Sequence, residues 1–217
     1  MTVTVYDNRG GSAHQVAVAD FASQPEPTER GIDMSDILER WQKLTEAFGQ
    51  RLDAVRDDQW DSATPCAEFT VRQLVEHAID VQRMVPKGLG ASGAIDTPNG
   101  DDLKATWKAV RGAALEACSA EGALEQDIDS PLGGKMPAGQ FFGGPACGDI
   151  LIHTWDLARA IGADEKLDEE GCQAALGFLQ AAPAEFLRQP GRFDAAIEPP
   201  AGADIQTQLL CFAGRQL

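Results

Sequence analysis

Asp149, His153 and Asp156 are three side chains able to hold a proton or a metal ion, and they lie in an otherwise apolar stretch. They are four and three residues apart, and at about 100° per residue a helix stacks such positions into one stripe. Ile150, Leu151, Ile152, Trp155, Leu157, Ala158 and Ile161 cover most of the remaining circumference, so this helix is expected to be buried. Gly162 stops it as a left-handed cap, and Pro145 suits its first turn, which makes 149–162 its second half. A carboxylate and an imidazole are costly in such surroundings unless they bind each other or a cation.

Only two other histidines occur, His14 and His77. His77 belongs to a helical period of Val71, Leu74, Val75, Ala78, Val81, Met84 and Val85, three after Leu74 and four before Val81, and so points inward. A bundle that joins these two helices brings His77, Asp149 and His153 to one point. Two imidazoles and a carboxylate leave open positions on a divalent cation, which suits catalysis better than a closed structural site. The donor set serves zinc, non-haem iron, cobalt or nickel. The plainer alternative is a pair of hydrogen-bonded core histidines, because Asp-x-x-x-His spacing recurs by chance. Asp156 is a fourth ligand, an acceptor for the outer nitrogen of His153, or an i,i+3 partner of Arg159; the middle reading is favoured. His14 is a remote further candidate, in a segment set apart from the helices.

Cys66 precedes the helix that carries His77, where a thiolate is favoured. His77 is about 16 Å further along the helix axis, so a direct Cys66–His77 pair is not expected. Cys147, two residues before Asp149, falls near the opposite face. Both cysteines read as packing residues, and no nucleophile-elbow, phosphate-loop or dinucleotide fingerprint appears.

The elements that must position these residues read as helices. Ile37, Leu38, Trp41, Leu44, Phe48, Leu52 and Val55 recur at three and four from Asp33 to Asp57-Asp58. Thr70-Val71-Arg72-Gln73 is a capping box that opens the second helix. Asp101-Asp102 caps a third with Leu103, Trp107, Val110, Leu115 and Cys118. Asp168 starts a fifth through Ala174, Ala175, Phe178 and Leu179, and Asp204 caps a last one with Leu209, Leu210 and Phe212. Residues 1–33 differ. Thr2–Tyr6 and His14–Ala19 alternate like two short strands around Asn8-Arg9-Gly10-Gly11, and 24–29 reads as a linker. That segment is either a hairpin or an appended tail, ahead of a domain over 34–217. The fold expected is all-α: a four-helix bundle with additional short helices and this N-terminal extension.

Composition bounds the partners. The 217 residues carry 18 basic and 34 acidic side chains, a net charge of −16, so there is no basic footprint for nucleic acid or anionic membranes. Five scattered cysteines without a C-x-x-C pair fit reduced thiols in a cytoplasmic protein, and no apolar run is long enough to span a membrane. A homodimer through the first helix stays open, with no distinct exposed stripe to mark it.

Two stretches resemble a known family. Residues 64–77 (TPCAEFTVRQLVEH) resemble its TPC-x-x-W-T-V-R-x-L-V-x-H segment, with Phe69 where Trp is common, and residues 149–162 (DILIHTWDLARAIG) resemble its D/E-x-x-x-H-x-W-D-L-A-R-A-x-G segment. Residues 132–138 and 210–215 also fit. The chain is similar over 34–217 to the mycothiol-dependent maleylpyruvate isomerase metal-binding domain, within the DinB/YfiT-like bundle superfamily. The resemblance implies a four-helix core holding a divalent metal, often zinc, through His77, Asp149 and His153, and a small thiol cofactor such as mycothiol activated for transfer or isomerisation. Two departures bear on substrate: the isomerase branch carries Glu at the position of Asp149, and the 55 or so residues after Gly162 are too few for its separate sterol-carrier-like domain.

Three functions follow from these readings. The first is a metal-dependent enzyme that uses a low-molecular-weight thiol for S-transfer or isomerisation of a small electrophile. The second is a metal-dependent hydrolase, in which bound water replaces the thiol. The third is a non-catalytic metal-binding stress-response module. An arginine near the metal, with Arg159 the candidate, would favour the first because a thiol cofactor carries polar groups to be held.

Overall fold

In the computed structural model, residues 2–4, 15–17, 34–67, 69–129, 134–188 and 192–217 are described. His14, the turn expected at 8–11 and the linker expected at 24–29 lie outside them. Backbone contacts divide the chain into two units, 1–31 and 32–217. In the first, β1 (Thr2–Thr4) pairs antiparallel with β2 (Gln15–Ala17), Val3 opposite Val16.

The second unit is all-α apart from one small ladder. Its helices are α1 (Met34–Asp53), α2 (Val71–Gly88), α3 (Leu103–Cys118), α4 (Ala138–Phe141), α5 (Cys147–Ile161), α6 (Glu169–Ala181), α7 (Ala184–Leu187) and α8 (Ile205–Phe212). Helices α1, α2, α3 and α5 form the bundle: α1 packs on α5 and α3, and α2 on α3 and α5. The i, i+3/i+4 stripe of α1 becomes core, with Ile37, Trp41, Leu44, Phe48 and Leu52 all buried. Trp41 meets Phe142 at 4.9 Å between ring centroids, and Phe48 meets Trp107 at 4.7 Å. Helix α1 ends four residues earlier than the period suggested; Val55 stays buried in the turn that follows.

Local chemistry sets the helix ends. Thr70 caps α2 by accepting from the Gln73 backbone N–H, and the Gln73 side chain accepts from the Thr70 N–H, so the capping box forms. Asp102, Asp168 and Asp204 cap α3, α6 and α8 in the same way from one side chain each. Gly162 ends α5 at φ 71°, a backbone conformation that costs a side-chain-bearing residue about 1–2 kcal/mol.

Three sequence expectations change. The buried stripe of α2 takes in Ile79 and Gln82 beside the expected residues, and the indole N–H of Trp41 donates to Gln82 Oε1 at 2.6 Å; Val81 is half-buried against the core, and Met84 is exposed. Pro145 does not open the helix but sits in a π turn, Phe142–Ala146, that joins α4 to α5 (Cys147–Ile161) without leaving right-handed helical backbone. Between α3 and α4, where the helical periods place no element, a two-strand ladder forms, β3 (Asp127–Asp129) with β4 (Lys135–Pro137), whose Ile128 packs where a Cβ on Gly88 would come within 2.8 Å. No helix among the described residues is long and apolar enough to cross a membrane.

Candidate metal centre

Helix α2 brings His77 and helix α5 brings Asp149 and His153 to one point between them. Asp149 Oδ1 lies 3.2 Å from His77 Nε2 and 3.5 Å from His153 Nε2, and one ligand atom from each of the three residues falls within 4.8 Å of the others. With ligand bonds of 2.0–2.1 Å, neighbouring donors on a tetrahedral ion stand roughly 3.3 Å apart, so these two separations match the edges of such a polyhedron. Asp149 Oδ2 is buried and makes no hydrogen bond. A buried carboxylate oxygen without a donor is the kind of vacancy that a cation fills, and the residues present fit a divalent metal.

The electrostatics are those of a tight cluster. Burial on its own pushes the Asp149 carboxyl up, but the two histidines outweigh it and hold the group below its usual range. Burial likewise favours neutral His77, yet the hydrogen bond and charge of Asp149 raise its pKa above the ordinary imidazole value. His153 is nearly enclosed, whereas His77 keeps a third of its side chain open to solvent and stacks on Phe69, with ring centroids 5.1 Å apart. The site is therefore closed on the His153 side and open on the His77 side.

Asp156 takes the place favoured for it. Fully buried, its Oδ2 lies 2.9 Å from His153 Nδ1. It also binds a partner that sequence reading did not supply: Arg215 Nε donates to Oδ1 at 2.8 Å and Nη2 to Oδ2 at 2.9 Å. Burial would raise the Asp156 pKa, but the hydrogen bonds of His153 and Arg215 lower it below the usual range. The only advance signal for this pair was that an acid on a buried face demands a counter-charge. Arg159, the sequence candidate for holding a cofactor, does not line the cavity described next. Its guanidinium lies over the Trp155 ring and pairs with Glu165 at 2.9 Å.

A cavity of about 220 Å³ opens onto His77, Asp149 and His153. Its apolar wall is built from Phe69, Pro145, Ile152, Phe178, Leu179, Leu187 and Phe193, with Arg192 and Arg215 as its cations. Cys66, read from sequence as a packing residue, lines the same cavity because the loop before α2 folds back toward it. Cys147 is buried, as expected for packing. Burial pushes the thiols of Cys118, Cys147 and Cys172 up to about 12, so none of those three is a thiolate near neutral pH.

Comparison with known proteins places this arrangement. Residues 41–158 match the model of the mycothiol maleylpyruvate isomerase N-terminal domain, more than half of the chain. The chain belongs to that family. Two uncharacterised Mycobacterium tuberculosis proteins, from strains CDC 1551 and H37Rv, are each 35% identical over 182 residues, which spans 83% of this chain and 98% of theirs. Among solved structures, the mycothiol-dependent maleylpyruvate isomerase superposes with a TM-score of 0.54 at 16% identity, over 69% of each chain. A histidine-to-alanine mutant of that enzyme gives 0.50 at 15%, over the same shares. At such identities the likeness shows the fold. This member of the mycothiol maleylpyruvate isomerase N-terminal domain family carries His77, Asp149, His153 and Asp156 inside the matched segment, while Arg215 and half of the cavity wall lie beyond it.

Proposed function

We propose that this chain is a divalent-metal-dependent enzyme that binds a low-molecular-weight thiol of the mycothiol class and presents its sulfur to a small electrophile, for S-transfer or isomerisation. The observation that carries the reading is Asp149, with Oδ1 next to two imidazole Nε2 atoms and a buried Oδ2 left without a donor at the edge of an open cavity. His77, Asp149 and His153 hold the ion; zinc is the first candidate, and nickel, iron and cobalt accept the same donors. A bound divalent cation lowers the pKa of a thiol and stabilises the thiolate.

The chain's own residues supply the surroundings. Phe69 stacks on His77 and limits the ring's freedom at the open side. Ile152, Phe178, Leu179 and Phe193 present an apolar wall that keeps water from a sulfur held beside it. Arg192 brings positive charge to the polar groups that a thiol cofactor carries, the role that Arg159 is too far round its helix to fill. Reduced cysteines and the family's small-thiol chemistry support a cytoplasmic setting.

The test is a titration of cobalt-loaded protein with mycothiol. A saturable sulfur-to-cobalt charge-transfer band, missing in His77→Ala, is expected. A cobalt spectrum that ignores thiols rejects the thiol reading.

A further inference from the structure

The family match ends at Ala158, yet the buried side of His153 is finished by a residue near the far end of the chain. Arg215 is 4 % exposed and can only donate hydrogen bonds. Its fork occupies Asp156 Oδ1 through Nε and shares Oδ2 through Nη2, which fixes the plane of the carboxylate. A carboxylate gripped in this way is an acceptor, so the 2.9 Å contact from Oδ2 to His153 requires Nδ1 to carry the proton. The lone pair of His153 is then on Nε2, the atom 3.5 Å from Asp149.

The arginine is itself held. Its backbone N–H donates to Leu210 O at 2.8 Å, and Nη1 donates to Ala213 O at 3.2 Å. Gly214 before it has φ 80°, and a Cβ there would come within 2.7 Å of Asp194 Cβ. Arg188 ties the same region down by donating to Asp194 O and, at 2.9 Å, to Phe212 O. The ties among Arg188, Asp194 and residues 210–215 therefore deliver the guanidinium in one position.

We propose that Arg215 is a positioning residue that, through Asp156, locks the ring of His153 with Nε2 turned to Asp149 and His77, so that the end of the chain completes the metal centre. Its consequence for metal affinity rests on the metal reading above; its consequence for the histidine tautomer does not.

The experiment has two readouts on the full chain. Nitrogen-15 NMR of the metal-free protein reports the His153 tautomer, and competition with a chromophoric chelator reports zinc affinity. The wild type is expected as the Nδ1–H tautomer. Arg215→Met is expected to mix the tautomers and weaken zinc binding by about 10–100-fold, the usual effect of losing an outer partner of a ligating histidine. Arg215→Lys keeps the charge but not the fork, and is expected to fall between the two. An Nε2–H tautomer in the metal-free wild type overturns the proposal even if neither variant folds, as does a folded Arg215→Met with wild-type tautomer and affinity. A tautomer change in a protein that never binds zinc upholds the positioning and rejects the metal reading.

Discussion

Asp156 accepts from both His153 and Arg215 while shielded from solvent, so its removal strands a guanidinium in the interior without a counter-charge. Breaking one member of a buried pair costs about 3–5 kcal/mol. Urea denaturation of Asp156→Ala should show a loss of that order; a loss under about 1 kcal/mol would place the pair in the class of solvent-exposed bridges. The metal candidates were legible because helical periodicity carries a side chain's direction: the i, i+4 spacing of Asp149 and His153 and the inward phase of His77 needed only two packed helices. Arg159 fails by the same arithmetic. Six residues after His153, it lies about 120° round the helix from that ring and meets Glu165 instead. Arg215 was out of reach because its partner is 59 residues away, and no periodicity spans that separation.

Among the elements, α6 forms one wall of the cavity through Phe178 and Leu179, and its start depends on Asp168. That carboxylate accepts from the Gly171 backbone N–H at 2.8 Å and pairs with Lys43. Burial opposes its ionisation, but Lys43 and the Gly171 N–H hold it below the usual carboxylate range. A carboxyl whose folded pKa is depressed contributes stability that is present above its unfolded pKa of about 3.9 and is lost as pH falls through the folded value. Asp168→Ala is expected to cost about 1 kcal/mol at neutral pH, the usual worth of such a cap. The gap between the two denaturation midpoints should narrow below about pH 4; a gap independent of pH would assign the cap no charge. Caps read well from sequence because Thr, Asp and Gly act within one turn. The inward turn of Gln82 did not, since its burial depends on Trp41 of another helix. The π turn and the β3–β4 ladder were also missed: Pro145 suits a first helical turn equally well, and three-residue strands carry too little alternation to register.

Across the whole molecule, the bundle α1, α2, α3 and α5 supplies the candidate ligands, and the part of the chain after it supplies much of the cavity. The fold class was legible because four apolar stripes of helical period have few other ways to bury themselves. The later wall was not, because short helices and irregular chain obey no period. Under the proposed reading this division matters: the candidate ligands lie within the family's matched domain, whereas Phe178, Leu187, Arg192, Phe193 and Arg215 lie outside it, where members of a family are free to differ in what they bind. The most direct test of the account is elemental analysis of the full chain, purified without chelators, beside His153→Ala. Close to one divalent ion per chain in the wild type, and almost none in the variant, is the predicted result. A folded wild type that binds no divalent metal would contradict it, and would leave His77 and His153 as hydrogen-bonded residues of a bundle core.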